Sequence, residues 1–173
     1  MKQKLFGFTL VEILAVFLLL GVLSTIVLPN LSRLLAQNNL DNAISKIFKS
    51  LSLARGYAVT HSTNITVCPL ISGSCSDDWQ SDIYTFEDNN ANLSLDDEEY
   101  VVSIIERINP RNELSYPRNA ITYRADGSIK FMQSGSFLYC HHSYLDLKGN
   151  QITVSQVGRV RVRDSNKCET PNL

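Results

Sequence analysis

Residues 7–28 read GFTLVEILAVFLLLGVLSTIVL, and this stretch decides how the rest of the chain is organised. From Phe8 to Leu28 there are 21 residues with a single charge, Glu12. About 20 apolar residues, each rising 1.5 Å in a helix, cross a hydrocarbon core. A secretory signal would have a shorter apolar core and a small-residue cleavage site after it, and neither is present. Lys2 and Lys4 precede the run, which favours a cytoplasmic N-terminus and an external C-terminus. A carboxylate within such a span costs about 2.5–3.5 kcal/mol on insertion scales, so Glu12 calls for a partner or a role.

Gly7-Phe8-Thr9-Leu10-Val11-Glu12 resembles the class III signal of type IV pilins. The resemblance implies a leader of residues 1–7, cut between Gly7 and Phe8 by a prepilin peptidase that also methylates the new amine. It implies that Glu12 offers its carboxylate to the Phe8 amine of a neighbouring pilin. Opposite charges a few ångströms apart in low dielectric offset each other's desolvation. A single-pass inner-membrane segment at 8–28 follows, with the head in the periplasm and later in an extracellular pilus. Pro29 stands where many pilins carry a helix-kinking proline.

Beyond Pro29 the helical period resumes. Leu40, Ala43/Ile44, Ile47, Leu51, Ala54 and Ala58 recur at three- and four-residue steps and draw one apolar stripe. One helix is therefore expected to run to about Thr60, bent near Pro29, with 29–60 as its amphipathic continuation. Short strand-like runs fill the head, 61–173: 64–67, 83–86, 100–105, 121–123, 128–132, 137–140, 151–154 and 157–162. Turn signals such as Asp126-Gly127 and Lys148-Gly149-Asn150 separate them. The expected fold is α+β, a long N-terminal helix packed on an antiparallel sheet.

Cys68, Cys75, Cys140 and Cys168 lie in the part expected outside the cytoplasm, where disulfides persist. Four cysteines allow three pairings. The short Ser/Gly-containing loop between Cys68 and Cys75 favours that bridge, leaving Cys140 with Cys168. A zinc site is the rival, but no Cys-x-x-Cys pair is present. His141-His142 cannot readily chelate one ion from opposite faces of a strand, and surface positions are expected for both. His61 should face solvent at the helix end. Asp88-x-Asn90-x-Asn92…Asp96…Glu99 imitates a calcium loop, with Leu93 where that loop needs Gly, so a solvated acidic loop is expected. No nucleophile elbow, nucleotide loop or metal-binding His pair occurs, so neither an enzyme nor a cofactor is expected.

Net charge is −1, yet the charges are segregated. Ten carboxylates and no Lys or Arg occupy Asp77–Glu106, whereas five cations face three anions from Cys140 onward. The basic end hints at an anionic partner. Within it, Gly158-Arg159-Val160-Arg161-Val162-Arg163 alternates, placing Arg159, Arg161 and Arg163 on one strand face and the valines on the other. Guanidinium groups ~6.7 Å apart could meet successive or alternate phosphates of a duplex. The same pattern also suits a plain strand with a solvated charged face. Lys148, in a turn, and Lys167, in the tail, could widen the patch. Gly158 would let a backbone approach or would form a bulge.

Across the chain, Leu53-Ala54-Arg55…Ala58-Val59, Ile65-Thr66-Val67-Cys68-Pro69, Trp79, Ile121-Thr122-Tyr123…Asp126-Gly127 and Gly158-Arg159-Val160-Arg161 resemble minor pilins of the FimT and GspH group. FimT-type members take part in natural transformation, and a C-terminal Gly-Arg-x-Arg motif is associated with their DNA binding. The resemblance implies sequence-independent DNA binding by Gly158, Arg159 and Arg161, extended by Arg163, Lys148 and Lys167. The alternative it leaves open is a priming minor pilin or type II secretion pseudopilin whose partners are only other pilins.

Overall fold

The computed structural model describes residues 9–141, 149–166 and 168, without the side chains of 26–30. Gly7, Phe8, His142, Lys148 and Lys167 therefore lie outside the described residues. The chain divides into two compact units, residues 1–37 and 38–173. Helix α1, Leu10–His61, contributes to both.

In the first unit, Thr9 caps the helix: its Oγ1 accepts from the Glu12 amide at 3.2 Å. Apolar side chains from Leu10 to Leu23 are exposed on every face, a pattern that needs an apolar environment. Ser24 and Thr25 turn their hydroxyls onto the carbonyls of Gly21 and Val22, which removes free donors from that surface. Among the described residues no helix is long and apolar enough to cross a membrane. The expected span, 8–28, extends past the described side chains at both ends.

In the second unit the stripe read from the sequence is buried: Leu40, Ile44, Ile47, Leu51, Ala54 and Ala58 are at most 5% exposed. It packs on two antiparallel sheets where the sequence pattern suggested one. The first contains β1 (Ile65–Ile71), β2 (Ser74–Cys75), β3 (Ile83–Glu87) and β4 (Val101–Ile105) in the order β2-β1-β3-β4, with β6 (Ile121–Tyr123) also paired to β1. The second contains β5 (Asn112–Ser115), β7 (Gly135–His141), β8 (Gly149–Val154) and β9 (Val160–Ser165), ordered β5-β7-β8-β9. Ile65, Val67, Ile83, Ile121 and Tyr123 of the first sheet share one core with Leu114, Phe137, Tyr139, Ile152 and Val154 of the second. Trp79 closes that core edge-on to Tyr116 and Phe137 and donates its indole N–H to the Arg118 carbonyl at 2.8 Å.

Strand β1 is buried on both faces because a second cluster, built on Cys68, Phe86 and Ala120 with Leu93 and Leu95 packed against it, covers its far side. The acidic loop supplies that cover. Asp88 is fully buried; its carboxylate accepts from Thr66 Oγ1 at 2.7 Å and from the Asn92 and Leu93 amides. Asn90 and Asn92 donate to Asp96, and Glu99 accepts from the Asn89 and Asp96 amides. The oxygens that would serve a cation are thus engaged within the loop, and no metal-holding cluster occurs among the described residues.

Three other expectations are corrected. The 128–132 run is not a full strand: Ile129 makes a single bridge to Tyr123, the Lys130 amide donates to the Thr122 carbonyl at 2.9 Å, and the chain turns at 131–132, where Met132 adopts φ 63°. The last strand begins at Val160, three residues later than expected, because a turn occupies the positions before it. His141 is buried on β7, not at the surface. His61 is exposed as expected, stacked on Tyr57 at 3.8 Å.

Candidate functional site

The β8–β9 hairpin carries the basic residues. Its turn closes when the Gly158 amide donates to the Ser155 carbonyl at 2.8 Å and the Ser155 amide donates to the Arg159 carbonyl at 3.0 Å. Gly158 adopts φ 75°, the left-handed conformation that lets a three-residue hairpin loop match the strand twist. It is also buried, and an added Cβ there would run into the carbonyl oxygen of Gly127. The expected close approach is therefore one turn of this chain against another, and Gly158 is not available to a ligand.

Arg55 on α1 locks the two turns together. Its Nε donates to the Gly127 carbonyl at 3.0 Å and its Nη2 to the Val157 carbonyl at 3.1 Å. Gln156 adds a third link, donating to the Ile129 carbonyl at 2.6 Å. Sequence reasoning marked Arg55 only as a word of resemblance. A cation near the end of a helix gave no sign that it would reach turns 72 and 102 residues away.

Register fixes where the arginines point. Ile152 faces Val162 and Val154 faces Val160, and both β8 residues are in the core. Arg161 and Arg163 instead stand opposite Thr153 and Gln151, on the outer face of the sheet. Both are exposed, ~6.7 Å apart along the strand. Arg159 is exposed as well but belongs to the turn, so the expected row of three is two strand arginines with a third beside them. Asp164, the adjacent acid, alternates to the other face. Among the described residues none of the three arginines makes an ion pair. β9 is the outermost of the described strands of its sheet, and these charges are exposed.

The cysteines pair as the loop spacing favoured. Cys68–Cys75 closes the β1–β2 hairpin with Cα atoms 5.5 Å apart, and Cys140–Cys168 brings the segment after β9 back to β7 with Cα atoms 5.6 Å apart. Cys168 lies over Gly149, where any Cβ would overlap its sulfur. The strand bearing Arg161 and Arg163 is thereby tied at its start by the Arg55 clamp and just after its end by a disulfide.

Comparison with known proteins agrees with this architecture. The chain resembles the crystal structures of the type IV minor pilin FimU from Pseudomonas aeruginosa in two crystal forms. One has a TM-score of 0.60 at 19% identity, covering 74% of this chain and 90% of FimU. The other has a TM-score of 0.58 at 19% identity, covering 72% and 92%. The minor pseudopilin EpsH of the Vibrio cholerae type 2 secretion system matches with a TM-score of 0.54 at 8% identity, covering 73% of this chain and 97% of EpsH. At these identities the likeness is one of fold. No curated protein matches the chain significantly. The family described as Type II transport protein GspH matches residues 43–158, from the buried helix stripe to the hairpin glycine, and stops just before Arg159. That match spans most of the chain, which belongs to the GspH family and has the α+β fold of type IV minor pilins.

Proposed function

We propose that this minor pilin binds DNA without regard to sequence through Arg161 and Arg163, with Arg159 beside them, and supports DNA uptake in natural transformation. The observation that carries the reading is the pair of exposed guanidinium groups on the outer face of β9, with no ion-pair partner among the described residues. Arginine's planar fork suits phosphate oxygens, and phosphate contacts carry no base information. The Gly-Arg-x-Arg resemblance at 158–161 supports it, with Gly158 shaping the turn. Lys148 and Lys167 would extend the patch. In the same reading a prepilin peptidase cuts between Gly7 and Phe8 and methylates the amine. Glu12 then pairs with a neighbouring pilin's amine, and the subunit passes from the inner membrane into a pilus.

The test is fluorescence anisotropy of the full-length protein in detergent micelles with labelled duplexes of unrelated sequence. Binding should be weak, with Kd about 10⁻⁴ to 10⁻⁶ M, alike for all sequences, and should weaken with salt. Arg161→Ala should weaken binding and lower the log–log salt slope by about one, with an unchanged melting curve. Equal affinity for Arg161→Ala would move the site elsewhere.

A second reading, a structural or priming subunit with only protein partners, is favoured by the family match and by exposed apolar residues such as Leu53 and Ile104 on the head. It expects no DNA binding, and arginine substitutions that impair piliation or secretion instead.

A further inference from the structure

Between α1 and β9 runs an open groove of about 610 Å³ bordered by apolar and cationic residues. Phe48, one turn along the helix from buried Ile44, forms its helix side, and Val160 and Val162 form its strand side. Phe48 is 37% and Val162 41% exposed, so apolar surface here is left to water. Lys49 also lines the groove, as do Arg161 and Arg163, whose side chains stand on the outer face of the sheet across the edge of β9, and among the described residues no carboxylate does. A surface of that composition suits a polyanion that also carries apolar faces.

Duplex DNA meets only half of that description. Its phosphates can reach the arginines, but its bases are stacked on one another and cannot cover Phe48 or Val162. A single strand can release a base from its own stack, lay it on an aromatic ring and keep its flanking phosphates on neighbouring cations. We infer that the α1–β9 groove is a single-strand site, in which Phe48 receives a base while Lys49 beside it, and Arg161 and Arg163 across the edge of β9, hold the backbone. The inference rests on the DNA reading of the β9 arginines and adds to it a substrate class, a stacking residue and a helix cation. Base-to-aromatic stacking tolerates any base, so the site remains sequence-independent.

The test compares oligothymidylate with a mixed-sequence duplex of equal length, both titrated at one ionic strength against the full-length protein in detergent micelles. The parent protein should favour the single strand. Phe48→Ala should lower the ratio of single-strand to duplex affinity roughly fivefold or more, the lower range for one base on one ring. Phe48→Trp should preserve the ratio, and its fluorescence should be quenched on adding oligothymidylate, against a background from Trp79, which is buried. Lys49→Ala should weaken single-strand binding. An unchanged ratio in Phe48→Ala, or an unquenched Trp at 48, overturns the groove proposal. If Arg161→Ala then still weakens both ligands, the arginine reading stands without it and the groove passes to a protein segment. Absence of binding to either DNA overturns both.

Discussion

Replacing Gly158 with alanine tests whether the two turns are pressed together as closely as described. Two effects add. At φ 75° an L residue costs about 1–2 kcal/mol more than glycine. Its Cβ would also meet the Gly127 carbonyl oxygen, with Arg55 Nε at 3.2 Å behind it. A backbone oxygen cannot swing aside as a side chain can, so one turn must move and the Arg55 clamp must stretch. Overfilling of this kind costs about 1–3 kcal/mol. The sum, roughly 2–5 kcal/mol, is a large part of the stability of about 5–15 kcal/mol usual for a domain. At about 2–4 °C per kcal/mol the melting point should fall by roughly 5–20 °C, read by far-ultraviolet circular dichroism with the disulfides intact. DNA binding measured well below that melt should persist, because the arginines are untouched. A melting point within about 2 °C of the parent would show that the Gly127–Gly158 contact is not formed and that the clamp argument is wrong.

Three further outcomes follow from the head. The Tyr123 hydroxyl is buried with no hydrogen-bond partner among the described residues, so Tyr123→Phe should stabilise the fold by about 1 kcal/mol in urea unfolding; a loss would mean that the hydroxyl is bonded. The Cys140–Cys168 and Cys68–Cys75 bridges close separations of 28 and 7 residues. On chain entropy, removing the first by a double serine substitution should cost about 3–4 kcal/mol and the second about 2–3, and the reverse order would refute that account. Hydrogen bonds from the Ser128 hydroxyl and amide hold the Asp126 carboxyl below the usual carboxylate range. Its contribution to folding is therefore present above that range and lost as pH falls through the depressed value. Ser128→Ala should raise the Asp126 pKa in a carbon NMR titration of the carboxyl, and an unmoved curve would assign the depression to another cause.

The helix was legible because its stripe is long and strictly periodic: burial at Leu40, Ile44, Ile47, Leu51, Ala54 and Ala58 needs only local spacing. The alternation that sends Arg161 and Arg163 outward was legible for the same reason. What escaped depends on distant partners. Strand β5, Asn-Glu-Leu-Ser, has one apolar residue; its Asn112 is buried because its amide donates to the Tyr139 hydroxyl 27 residues away. The run at 128–132 has the alternation of a strand, but Ile129 makes only a single bridge, to Tyr123. The division into two sheets and the burial of His141 are likewise products of pairing across the fold. At the site, residue type and period gave the charge and its direction. Only the tertiary contact between two turns showed that Gly158 belongs to the scaffold.

The position of β9 at the outer margin of its sheet has a consequence for the protein's behaviour in crowded surroundings. A terminal strand offers unpaired amides and carbonyls to any passing β segment, the usual beginning of aggregation. Here bulky cations alternate along one side of that margin and Asp164 stands on the other, so a second copy brought alongside would set like charge against like. The same side chains that face outward would thus oppose edge-to-edge pairing of two copies. Substitutions that discharge this strand should be chosen polar, such as glutamine, since valine or isoleucine would create a sticky edge as they removed the charge.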